Sequence, residues 1–356
     1  MKMSAVSRKI MTVALLLAVL TGIGASGVFA SERLFVDLAG RELKLPENPR
    51  RLATFVGPTP EKILMLGAAD RLVGKNAYAV SGAWALEVYP KFGEIALFKS
   101  PMDPNVEELV GLAPDIIYYW SMNEQIERLE SAGLTVVVAQ LTANNPSTVD
   151  EFIAFQKREV DVIADSIGSE AKEKAKAWNG YFDEKVRMVR ERTAKLTEGD
   201  RKKVYFSCSD DGLECFSKNS YPQFIVELAG GNFVAKDTNE EVNTMVSLEQ
   251  IINWDPDLII MGRTDSTDGV VKDERWSEIA AVKNGNVLLP PDGVMFWDYS
   301  SECVLLMQFL AKTMYPELFT DLDTAAETKA YYKKFYNYEL SDENARNILS
   351  HLPPAK

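Results

Sequence analysis

The feature that most constrains this chain is a stretch that occurs twice. Val106–Trp120 reads Val-Glu-Glu-Leu-Val-Gly-Leu-Ala-Pro-Asp-Ile-Ile-Tyr-Tyr-Trp, and Leu248–Arg263 reads Leu-Glu-Gln-Ile-Ile-Asn-Trp-Asp-Pro-Asp-Leu-Ile-Ile-Met-Gly-Arg. Glu107 matches Glu249, Leu109 matches Ile251, Pro114 matches Pro256 and Asp115 matches Asp257, all at one offset of 142 residues. In each copy, apolar residues at helical spacing predict a short amphipathic helix, which the proline stops. The aspartate fills the turn, and the apolar run after it reads as a strand buried on both faces. Two such units at corresponding places predict an α/β chain of two similar lobes.

A length of 356 residues is enough for two lobes that each bury a core. Residues 1–30 read as an export signal. Arg8 and Lys9 precede an apolar run from Ile10 to Leu20, and Val28-Phe29-Ala30 offers the small residues a signal peptidase prefers. The run is too short to span a bilayer. No cysteine follows it, so the expected product is an exported, soluble chain without a lipid anchor, starting near Ser31. Gly22, Gly24 and Gly27 match a dinucleotide-binding glycine pattern, but no βαβ unit surrounds them. The net charge of −13 becomes −16 without Lys2, Arg8 and Lys9, which argues against nucleic acid or an anionic membrane surface as partner.

The expected order is a first α/β lobe over 31–145, an inter-lobe helix over 146–197 and a second α/β lobe over 198–356. In both lobes strands alternate with helices, which predicts parallel pairing. The middle segment has no proline after Pro146, and Phe152, Phe155, Val160 and Ile163 recur at helical spacing. It predicts one long rigid α-helix, with a break near Ser166-Ile167-Gly168 left open. Cys208 and Cys215 flank the turn signal Asp210-Asp211-Gly212, so either a cross-strand disulfide or two free thiols fits. Cys303 lies in an apolar helical run and reads as a small core residue.

Asp37-Leu-Ala-Gly40-Arg, Leu45-Pro46 and Pro49-Arg50-Arg51-Leu, read with the paired units and with Ala311-Lys312 and Tyr315-Pro316-Glu-Leu-Phe319, resemble one family. It comprises the periplasmic substrate-binding proteins of ABC importers for iron–siderophore, haem and cobalamin, the helical-linker class. The resemblance spans essentially the whole chain after residue 30. It implies two Rossmann-like lobes joined by one rigid helix, a ligand held between them, and a partner, the ABC permease dimer, met by one glutamate on each lobe. The matching positions are Glu107 and Glu249. Both are also ordinary first-turn acids that complement a helix dipole, and Glu108 competes for the first role.

Ligands of open α/β sheets sit beyond the carboxyl ends of the strands. That rule selects Thr59, Tyr78 and Trp120 in the first lobe, and Arg263, Trp297 and Tyr299 in the second; Trp84, in the irregular aromatic segment after Tyr78, is a further candidate. Arg263 directly follows a buried strand, so it meets either an anionic ligand or an internal partner such as Asp265 or Asp268. Trp297 and Tyr299 follow Pro290-Pro291-Asp292-Gly293 and either stack on a flat ligand or pack beneath the next helix. The single histidine, His351, excludes a histidine-built metal site, so no cofactor is expected and any metal arrives already chelated. The expected cargo is a ferric siderophore-like chelate, with cobalamin, haem or an oxyanion such as molybdate as alternatives. A chelatase-like enzyme on the same scaffold is the alternative of another class. Against it, the chain has no Gly-x-Ser-x-Gly elbow, no phosphate-cradling loop and no histidine base.

Overall fold

The computed structural model describes residues 31–142 and 146–355. The export signal expected over residues 1–30 lies outside them. The described chain opens with an antiparallel hairpin, β1 (Glu32–Val36) and β2 (Glu42–Pro46), turning through Gly40 at a φ of +80°. The Asp37 carboxylate closes the turn by accepting from the Ala39 and Arg41 amides, and its second oxygen takes the Val138 amide. One aspartate therefore fixes the turn and pins the hairpin to the sheet behind it.

That sheet comprises β3 (Leu52–Thr54), β4 (Leu72–Asn76), β5 (Ala96–Phe98), β6 (Ile116–Trp120) and β7 (Val136–Gln140). The spatial order is β5-β4-β3-β6-β7, all parallel. Helices α1 (Thr59–Met65), α2 (Ala83–Val88), α3 (Val106–Leu112) and α4 (Asn123–Ser131) provide the crossovers. Strand order reverses direction between β3 and β6, so the ligand crevice of such a sheet opens where those two strands end.

The connection between the lobes departs from the single helix expected. Two helices, α5 (Val149–Ile167) and α6 (Ser169–Thr193), meet at Gly168, whose φ of +130° ends one helix and starts the other. They fold back as an antiparallel pair, tied by Lys157–Asp183, Asn179–Asp161 and Arg190–Asp150. The apolar residues Phe152, Val160 and Ile163 that mark the segment in sequence are buried, as expected. Helical periodicity alone does not distinguish a rod from a hairpin; one glycine does.

The second sheet is mixed. Strands β8 (Lys203–Ser207), β10 (Asn232–Phe233), β12 (Leu258–Met261) and β13 (Val287–Leu288) pair in parallel, β8 sitting between β10 and β12. Strands β9 (Glu214–Phe216) and β11 (Asn243–Met245) extend it in antiparallel fashion. Helices α7 (Tyr221–Leu228) and α8 (Leu248–Trp254) belong to this lobe. Helices α9 (Cys303–Met314), α10 (Thr324–Tyr331) and α11 (Asp342–Leu349) finish the chain.

The duplicated stretch folds as one unit in two places. Helices α3 and α8 each have seven residues, capped by Asn105 and Ser247 and closed by left-handed residues, Ala113 at φ +44° and Asp255 at φ +45°. The Asp115 amide donates to the Arg51 carbonyl, and the Asp257 amide to the Lys203 carbonyl. Their carboxylates accept in return from Arg50 and Arg51 in one lobe and from Lys203 in the other. The repeated aspartate thus clamps each strand after the helix to the strand beside it.

Ties between the lobes are polar and fully buried. Glu61 on α1 accepts from the Ser301 amide at 3.0 Å, from the Ser301 hydroxyl and from the Tyr336 hydroxyl at 2.6 Å. Lys62 and Glu159 form a buried ion pair at 2.9 Å between α1 and α5. Trp178 on α6 stacks on Phe182 and donates to the Tyr331 hydroxyl and the Ser301 carbonyl. Burying a side chain of that size contributes roughly 1.5–3 kcal/mol. Removing one partner of a buried charge costs ~3–5 kcal/mol, so hinge opening that separates these groups is steeply opposed. Little cleft closure is therefore expected on ligand binding. Small-angle scattering should give the same radius of gyration with and without ligand, and a compaction of several ångströms would contradict this.

Candidate functional site

The site forms where the carboxyl ends of the two sheets face each other. A cavity of about 440 Å³ is lined from the first lobe by Met102, Trp120, Met122, Gln140, Leu141 and Thr142. The second lobe contributes Phe216, Tyr221, Arg263, Asp298 and Tyr299 among others. Trp120 ends β6, Gln140 ends β7 and Arg263 stands two residues beyond β12. The strand-end rule therefore places the cavity correctly.

Arg263 has a left-handed backbone, φ +61°, a conformation that strains any residue but glycine and turns its side chain back over the sheet edge. Both terminal nitrogens donate to Asp298, each at 2.7 Å, in a bidentate pair. The guanidinium is held between Phe296, 4.1 Å from its ring centre, and Phe216 at 5.3 Å. Burial lowers its pKa, and the charge and hydrogen bonds of Asp298 outweigh that and raise it. The internal partner is thus Asp298, correcting the expectation of Asp265 or Asp268. Proximity in sequence suggested those two, whereas the fold delivers an aspartate 35 residues away.

The remaining candidates divide. Trp120 and Tyr299 line the cavity and point their polar atoms at the same group, the Gln140 side-chain oxygen, at 3.0 and 2.8 Å. Tyr78 is 77% exposed and borders a second cavity of about 320 Å³, which shares Arg263 and Asp298 with the first. Thr59 is buried in the first turn of α1 and is not part of either cavity lining. Trp84 is fully buried, its indole N–H donating to the Leu352 carbonyl, so it anchors the chain terminus. Trp297 is also buried, packed by Gly293, where a side chain would come within 2.4 Å of its indole nitrogen and 2.3 Å of Glu302. Thr59 and Trp84 are thus core residues, while Trp297, though buried, borders the second cavity beside Tyr78.

The Cys208–Cys215 bridge is not formed; both thiols are free. The register sets Cys215 opposite Ser207, one residue short of Cys208, so the two side chains are not facing partners. Burial pushes the thiol of Cys208 up to about 12 and that of Cys215 up to about 11, so both stay protonated at neutral pH. Gln140, Tyr221 and Phe216 were missed by the sequence reading. Gln140 carried a usable signal, since it is the first polar residue after the apolar strand Val136–Ala139. Tyr221 and Phe216 carried none.

Glu107 and Glu249 are exposed, each in the first turn of its capped helix. Helices α3 and α8 run back toward the amino ends of β6 and β12, so their own amino ends lie at the cleft-facing edges of the two sheets. His351 donates from Nδ1 to the Pro290 carbonyl, 2.7 Å away, and borders the second cavity instead of the main one. Among the described residues, no group of three or more His, Cys, Asp or Glu is placed to hold a bare metal ion. None of the described helices is long and apolar enough to cross a membrane.

Comparison with known proteins shows a substrate-binding protein of the ABC-transporter type, not an enzyme. The chain belongs to the Periplasmic binding protein family, whose profile matches residues 58–292. It is similar to the molybdate-binding protein MolA of Haemophilus influenzae, 24% identical over 334 residues that cover 88% of this chain and 94% of that one. It is likewise similar to the iron(3+)-hydroxamate-binding protein FhuD of Bacillus subtilis, 24% identical over 72% of this chain and 78% of that one. The solved structure of MolA bound to molybdate superposes with a TM-score of 0.78 at 22% identity, covering 87% of this chain and 99% of that one. A periplasmic solute-binding protein of Veillonella parvula gives 0.77 at 23% identity, over 90% and 97%. At such identities the likeness of the solved structures is one of fold.

Proposed function

We propose that the chain captures a compact ferric chelate in the inter-lobe cavity and presents it to a two-fold permease through Glu107 and Glu249. The observation that carries the cargo is the lining. Trp120, Phe216, Tyr221 and Tyr299 supply flat apolar walls, and the one guanidinium is already neutralised by Asp298. A bare oxyanion is held by converging N–H and O–H donors and positive charge. Aromatic walls instead bury the organic shell of a chelate. The relative named for iron(3+)-hydroxamate supports this class of ligand. The organisation that supports this reading is a first lobe over 31–145, connecting helices over 146–197 and a second lobe over 198–356, acting as a monomer.

Molybdate is the second reading, favoured by the relative named for it and by Arg263 standing at the cavity wall. Titration followed by intrinsic fluorescence separates the two, because Trp120 lies in the cavity and a ferric chelate quenches it. A ferric tris-hydroxamate is expected to bind and quench, with sodium molybdate at least ten-fold weaker. Tight molybdate binding with no response to ferric chelates would overturn the first reading.

Asp298→Asn sharpens the distinction. It leaves the Arg263 geometry supported but removes the compensating charge, so the cleft gains a free cation. Molybdate affinity is expected to rise about ten-fold, the order of one charge-assisted hydrogen bond, while a neutral ferric tris-hydroxamate changes less than about two-fold. Calorimetry on both variants checks this. A uniform loss for both probes would mean that Asp298 only maintains the fold.

A further inference from the structure

The cleft walls are not independent. Trp120 belongs to the first lobe and Tyr299 to the second, yet both donate to one oxygen, the Oε1 of Gln140, at 3.0 and 2.8 Å. Two donors converging on a side-chain amide fix which end is oxygen, and they occupy both of its lone pairs. Gln140 itself is 8% exposed and sits at the last position of β7, on a backbone paired into the sheet. It therefore has little freedom to follow either partner. The Tyr299 ring also passes the first lobe closely, 3.4 Å from where a side chain on Gly57 would begin.

We infer that Gln140 is a positioning residue for ligand binding: its amide oxygen clasps one aromatic wall from each lobe and so sets the width of the cavity. This deepens the reading that the inter-lobe cavity holds the ligand. Burial pushes the Tyr299 hydroxyl up to about 12, so it stays a donor throughout the physiological range. The clasp therefore persists in the empty protein. A preset gap admits ligands of one thickness without the entropic cost of assembling the walls on binding. Removing the acceptor releases both rings and leaves a half-buried hydroxyl and indole N–H in search of water.

The test uses three variants of the full-length exported protein. Gln140→Met keeps length and volume but offers no comparable acceptor. Gln140→Glu keeps the acceptor. Tyr299→Phe removes one donor and leaves the Trp120 bond. The first readout needs no ligand: the emission of Trp120, isolated by subtracting the spectrum of the same protein carrying Trp120→Phe. It is expected to shift in Gln140→Met and to stay put in Gln140→Glu. The second readout is affinity for ferric tris-hydroxamate and for sodium molybdate. Gln140→Met is expected to weaken the chelate about ten-fold, Tyr299→Phe by less, and the ratio between the two probes should collapse toward one. Wild-type emission and an unchanged affinity ratio in Gln140→Met would overturn the clasp. If wild-type protein binds neither probe, the cargo proposal fails, while the emission of the empty variants still decides the role of Gln140.

Discussion

Reversing Glu107 and Glu249 together to arginine is expected to abolish uptake while leaving ligand affinity within about two-fold of wild type. Both carboxylates are exposed and neither lines the cavity, so neither is expected to contribute to cargo binding. Each sits in the first turn of a seven-residue helix with a side-chain cap, a left-handed exit and an aspartate clamp. A permease with two-fold symmetry requires its partner to offer two equivalent contacts, and a duplicated unit supplies them. Replacing attraction by repulsion at a desolvated contact costs about 2–5 kcal/mol per site, so the double change exceeds a thousand-fold in docking. Transport into proteoliposomes measures the loss, and equilibrium titration measures the retained affinity. Glu108→Arg is the control, since Glu108 shares the helix and the exposure but has no counterpart acid at Gln250. Normal uptake by the double variant, or an equal defect in the control, would remove the docking assignment.

The second large effect is a loss of stability as pH rises from about 5 to 8. Glu302 is fully buried and accepts from Tyr332 at 2.6 Å and from the Met295 amide at 3.1 Å. Burial, reinforced by the neighbouring Glu61 carboxylate, pushes it up to about 8 from an ordinary 4.5. Glu61 is raised in the same direction by burial. Between the ordinary value and 8 the folded protein holds a proton that the unfolded chain has released. Stability therefore falls through that window and levels off above it. At 1.36 kcal/mol per unit the fall is on the order of 4 kcal/mol. Burial raises Glu159, Glu227 and Asp292 in the same direction, so they add to the same fall. Urea midpoints at pH 5.5, 7 and 8.5 should fall in that order, and Glu302→Gln should make the fall shallower. A wild-type midpoint that is constant or rises over this range would contradict the buried-acid account.

Sequence pattern carried most of the architecture. Proline-stopped helices followed by apolar strands are local signals, and the two copies survive in the structure down to the clamp made by Asp115 and Asp257. Arg263 and Trp120 were legible as cavity residues because strand ends are readable from where apolar runs stop. Thr59 and Trp297 were not separable from them by the same rule, nor Trp84 by its place in an irregular aromatic segment, since direction of a side chain depends on what packs over it. The Gly168 break was visible, yet its consequence, a hairpin in place of a rod, was not.

Local chemistry alone determined the two-lobed α/β plan, the paired acidic helix starts and the cleft at the strand ends, because each follows from spacing within some fifteen residues. Tertiary structure alone decided that Arg263 spends its charge on Asp298, that Cys208 and Cys215 miss one another, and that Gln140 joins Trp120 to Tyr299. Those contacts join residues that no periodicity relates, so they exist only once the chain has brought distant strand ends within hydrogen-bond reach.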